Sequence, residues 1–135
     1  MNSKLILGGG VVNLLITIMH VSLGLGLSSS GMLSCLSLDN QATMHILNIH
    51  VAYTCLIFAY ISLFHRKDLL TTGVGRAMTA AIGIFWVLRA ANQVIFYGLF
   101  APGTLFWVIF CLLVGLLYLV PTVWNRTAIR VVPAS

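Results

Sequence analysis

Arg89, Asn92, Gln93 and Tyr97 stand in one apolar run that includes Phe85-Trp86-Val87-Leu88. Offsets of three, four and eight residues from the arginine put all four on one face of an α-helix. An arginine at mid-bilayer costs about 2.5–3.5 kcal/mol even on the lenient insertion scale. A run that keeps one turns it toward a bundle interior, a wet cavity or a partner. Two histidines, His20 and His50, lie in other apolar runs. Counted at 1.5 Å per residue from the run ends, His20, His50, Arg89 and Gln93 all fall roughly 9–15 Å below one boundary. Three helices thus bring polar groups to nearly one level.

Imidazoles on two facing helices can hold the iron of a b-type haem, and helix bundles commonly build cofactor sites this way. His20 and His50 are the expected axial ligands. Arg89 is the expected partner of a haem propionate, through charge-assisted hydrogen bonds. Asn92, Gln93 and Tyr97 complete the expected site, and the protein is then a haem-binding redox subunit of electron transport. Covalent c-type attachment is excluded, because the chain has no C-x-x-C-H. A copper or zinc site from His20, His45 and His50 is a weaker match. His45 and His50 fall about 140° apart around a helix, and the spacing fits no standard ligand pattern.

The same residues have a structural reading. Asn, Gln, His and Thr hydrogen-bond between membrane helices and fix their packing, at about 0.6–2 kcal/mol per bond. Gly10, Asn13, Thr17, His20 and Gly24 make one small or polar face on the first run. His50 shares a face with Tyr53, Thr54 and Ile57, while His45 and Asn48 share another. The protein is then a non-catalytic structural or assembly subunit of a larger membrane complex. Arg89 fits this less well, because no spanning run contains an acid. Its charge needs amides and carbonyls, water, a bound anion, or a carboxylate from a partner subunit or a second copy of the chain.

Other chemistry is thin. The acids are Asp39 and Asp68, with no glutamate. Two-carboxylate hydrolysis and the H-E-x-x-H metalloprotease pattern are therefore excluded. Cys35, Cys55 and Cys111 form no C-x-x-C pair. Cys55 and Cys111 lie inside apolar runs and read as small hydrophobes. Gly26-Leu27-Ser28-Ser29-Ser30-Gly31 lacks the spacing of a nucleophile elbow. No catalytic residue is assigned.

The elements that must position these groups follow from composition. Of 135 residues, 60% are hydrophobic and 7% charged, which excludes an ordinary water-soluble domain. A mean hydropathy of +1.06 excludes disorder as well. Four apolar runs, about 5–27, 44–64, 77–99 and 104–124, each have near the roughly 20 residues that cross a bilayer. The expected fold is an all-α, integral membrane four-helix bundle, one transmembrane domain over 1–135. The first run exceeds the roughly 7–15 residues of a signal-peptide core, so it is read as a span.

Lys4, Arg66, Lys67, Arg76, Arg126 and Arg130 flank the runs on one side, and the first and third links have neither lysine nor arginine. The N- and C-termini are therefore expected in the cytoplasm, with a bacterial inner membrane as the location. The net charge of +5 is accounted for by this placement, so a nucleic-acid partner is rejected and the lipid bilayer is the expected partner. Tyr97, Trp107, Tyr118 and Trp124 sit near run ends, where interfacial aromatics are expected.

Overall fold

A computed structural model describes residues 2–29, 31 and 33–129, with side chains as far as Val123. The fold is all-α. Helix α1 spans Asn2–Ser29, α2 Leu38–Phe64, α3 Arg66–Thr71, α4 Gly73–Tyr97 and α5 Thr104–Ile129. The four long helices have the length and hydropathy to cross a membrane. The short α3 is an addition to the expected elements. Its six polar-rich residues are too few to show a helical period.

Caps explain where the observed bounds depart from the apolar runs. Helix α2 begins at Leu38 rather than near Met44 because the Ser37 hydroxyl accepts the Asn40 N–H at 3.4 Å. Asp39 in that first turn complements the helix dipole. Helix α4 begins at Gly73 rather than near Ala77 because the Thr72 hydroxyl accepts the Gly75 N–H at 2.9 Å. It stops at Tyr97 because Gly98 takes φ 77, a left-handed value that glycine tolerates.

The long helices form two antiparallel hairpins, α1–α2 and α4–α5, which meet along α1 and α5. Helix α3 packs against the ends of all four. That end of the bundle is termed the α3 end, and the opposite end the link end. The start of α1 lies beside the later part of α5, where Gly9 abuts the Tyr118 ring. Both helices that lead to the termini therefore open at the α3 end. Of the groups that carried the orientation and interface expectations, the side chains of Trp124 and Arg126, and all of Arg130, lie outside the described residues.

Two stripes of small and polar residues zip α1 to α2. On α1 the stripe is the expected Gly10, Asn13, Thr17, His20 and Gly24. On α2 it is Asn48, Ala52, Cys55, Ala59 and Ser62, again at steps of three and four. A Cβ on Gly10 would lie 2.9 Å from Ser62 Cβ, and one on Gly24 would lie 2.8 Å from Asn48 Nδ2. Between α2 and α4 there is no extended interface among the described residues. Phe58 and Phe85 bridge them edge-on, with ring centroids 5.2 Å apart. Only 22–33% of each spanning window is buried within the protein, so most of the apolar surface is left for lipid.

Candidate functional site

The unfilled space between the hairpins is a cavity of about 720 Å³, within the range typical of ligand pockets. All four long helices line it. Helix α1 contributes His20, and α4 contributes Arg89, Asn92, Gln93 and Tyr97. Trp107 of α5 and Pro102 of the α4–α5 turn close the link end. Apolar side chains, among them Ile16, Val51, Cys55 and Phe85, line the deeper part. Five of the six residues expected at the site thus line one cavity, four from α4 and His20 from α1.

His50 does not. It is exposed and lines neither this cavity nor the shallower groove of about 440 Å³ on the other side of the α1–α2 hairpin. Its Nδ1–H donates to the Ile46 carbonyl at 2.8 Å, a bond within its own helix. The physical reason is register. His50 is two residues from Asn48, and two residues turn an α-helix by about 200°. Its companions face outward too, with Tyr53 63% exposed.

The partner that α2 gives His20 is instead Asn48. The His20 Nδ1–H donates to Asn48 Oδ1 at 2.7 Å, and Asn48 Nδ2 donates to the His20 carbonyl at 2.8 Å. This reciprocal pair fixes the imidazole tautomer and leaves Nε2 as its acceptor nitrogen. Asn48 was legible in the sequence through its place on the small-residue stripe of α2. A haem in this cavity would find one of its two expected ligands there. The copper or zinc alternative lacks a cluster. Among the described residues no three His, Cys, Asp or Glu side chains converge.

Arg89 is exposed toward the cavity and donates from Nη1 to Gln93 Oε1 at 2.9 Å. Gln93 itself is buried, so it holds the guanidinium against α4. Among the described residues the one ion pair is His65 with Asp68, in the α3 segment. The Arg89 charge therefore meets a neutral amide and no carboxylate. One turn deeper, Trp86 also lines the cavity and is 4% exposed. Its indole Nε1–H has no acceptor among the described residues.

A second polar cluster lies toward the α3 end. Asn13 Nδ2 donates to the Gly9 carbonyl at 2.8 Å and to the Tyr118 hydroxyl at 2.9 Å. The same hydroxyl bonds Ser62 Oγ at 3.0 Å. Helices α1, α2 and α5 are thus tied at one buried point. Tyr118 is wholly buried, which corrects the expectation that it would sit at the interface. Cys55 and Cys111 are buried in the apolar core, as their sequence context implies.

Comparison with protein-family models, with curated proteins and with solved structures finds no match for the chain.

Proposed function

We propose that this multi-pass membrane protein binds a membrane-resident amphiphile whose anionic head, carboxylate or phosphate, sits at Arg89. The observation that carries the proposal is the Arg89 charge, set in a cavity within the bundle with the neutral Gln93 as its hydrogen-bond partner and no carboxylate paired to it among the described residues. A guanidinium presents five N–H donors in a fork suited to such oxygens. The cavity supplies the rest of the match, with polar groups toward the link end and apolar walls below. The polar residues divide by role. The Asn13–Tyr118–Ser62 cluster is packing glue, its bonds running between helices. The Arg89 group faces an open volume and holds no helix to another.

The test is lipid binding by the purified full chain in mild detergent, read by native mass spectrometry. Arg89→Gln should weaken binding of anionic amphiphiles about tenfold or more, since hydrogen bonds to charged groups are worth about 1.5–3 kcal/mol. His50→Ala should leave binding unchanged. Equal binding by the wild type and Arg89→Gln would sink the proposal. An absorption spectrum of the same sample decides for or against haem, with His20 as a ligand and Arg89 on a propionate. A Soret band that shifts on reduction replaces the lipid with haem. If Arg89→Gln instead dissociates a co-purifying subunit, the anion belongs to a partner protein.

A further inference from the structure

We infer that the ligand is a two-chain anionic phospholipid, held by its head at Arg89, with its acyl tails left in the bilayer through the gap between α2 and α4. This rests on the anionic site proposed above and names the class of amphiphile that the site takes. The gap follows from how the hairpins meet. Helix α1 packs on α2 and on α5, and α5 packs on α4, but α2 and α4 share no extended interface among the described residues. Both nevertheless line the cavity, α2 through Val51 and Cys55 and α4 from Phe85 to Tyr97. Three sides of the cavity are therefore packed helix pairs, and the α2–α4 side is not. Leu88 marks the lip, since it lines the cavity and is 57% exposed. Toward the α3 end the gap stops at the Phe58–Phe85 pair, whose ring centroids are 5.2 Å apart.

Depth decides where a tail can go. Phe85 is the deepest of the α4 residues that line the cavity, four positions below Arg89. Four helical residues rise about 6 Å. A membrane lipid's tail runs through its own leaflet, about half of the roughly 30 Å hydrocarbon core. A tail of that length does not fit between an Arg89-bound head and the cavity floor, so it turns out through the gap. There it meets lipid, which is as apolar as a leucine side chain, and nothing is lost by leaving the protein. The cavity of about 720 Å³ then holds the head and the first methylenes of each tail. The open side removes the size limit that this volume would otherwise impose on a two-chain lipid. The site thus reads the charge of the head and neither the length nor the number of the tails. An enclosed ligand, such as a short fatty acid, would need no gap.

The experiment offers the full chain in mild detergent an equimolar mixture of dimyristoyl, dipalmitoyl and distearoyl phosphatidylglycerol, and reads the bound masses by native mass spectrometry. The three should bind within about twofold of one another, because a tail surrounded by detergent or lipid gains nothing from the protein. The single-chain analogue, added in the same way, should bind no tighter than the two-chain lipids. Dipalmitoyl phosphatidylcholine, which has the same tails and no net charge, should bind more weakly, and Arg89→Gln should remove that difference. Leu88→Trp places a bulky side chain at the exposed lip and should weaken the two-chain lipids more than the single-chain one. A cut-off at one chain length, or a strong preference for the single chain, shows an enclosed tail and overturns the inference. Both comparisons use the wild type and need no variant to fold. Equal losses for both lipid classes in Leu88→Trp, or none, would also overturn it, since the tails then leave elsewhere. If phosphatidylcholine binds the wild type as well as phosphatidylglycerol does, and Arg89→Gln changes neither, the anionic site itself fails and takes this inference with it.

Discussion

Gly9 and Tyr118 show how single residues fix the bundle. A Cβ on Gly9 would lie 2.5 Å from Tyr118 Cε2, too close for either to stay. The ring cannot swing freely, because its hydroxyl is held by Asn13 and Ser62. Gly9→Ala should therefore destabilise the protein by about 1–3 kcal/mol, the usual range for overpacking, despite alanine's better helix propensity. Tyr118→Phe should cost about 1–2 kcal/mol by leaving its two partners unmet. The two effects share the hydroxyl, so they should not add. Unfolding in detergent of the two single variants and the double variant checks this. Additive costs would show that the hydroxyl does not anchor the ring. Gly8 is the control, because a methyl there would meet nothing within 4 Å. Gly8→Ala should be neutral or stabilising.

At the scale of elements, α3 holds the two hairpins together at one end. Leu69 is buried there, and Thr79 Oγ1 of α4, which donates to the Gly75 carbonyl at 2.8 Å, shares that proton with the Leu69 carbonyl at 3.3 Å. Gly75 lets the first turn of α4 lie directly on the Asp68–Leu69 backbone. A methyl at that position meets rigid main chain rather than a movable side chain. Gly75→Ala should thus displace α3 and lower stability by about 1–3 kcal/mol, whereas Gly73→Ala, which meets open space, should not. Thermal unfolding in detergent separates the pair, and similar losses in both would remove α3 from the role of clamp. The spans were legible because an apolar run long enough to cross a bilayer has few other uses. Helix α3 was not, because six residues carry no period. The Arg89 face was legible from offsets within one helix. The His20–His50 pairing was not, since equal depth on two helices says nothing of rotation. The stripe Asn48, Ala52, Cys55, Ala59 and Ser62 does report rotation, and it turns His50 outward.

At the scale of the whole molecule, the charge pattern and the cavity point to opposite ends. Arg66, Lys67 and Arg76 lie in or beside α3, and the cavity's polar wall lies toward the link end with Pro102 and Trp107. The positive-inside rule predicts the α3 end on the cytoplasmic side and the Arg89 site in the far half of the bilayer, and the helix packing itself fits either orientation. The native cysteines give a direct test. Cys35 is exposed in the first link, while Cys55 and Cys111 are buried among the helices. A membrane-impermeant maleimide added to intact cells should label the protein once, at Cys35. The same reagent should label poorly from the inner side of inverted vesicles, and Cys35→Ser should abolish the signal. Labelling of inverted vesicles alone would reverse the topology. The amphiphile would then be drawn from the cytoplasmic leaflet, because the site and the link end move together.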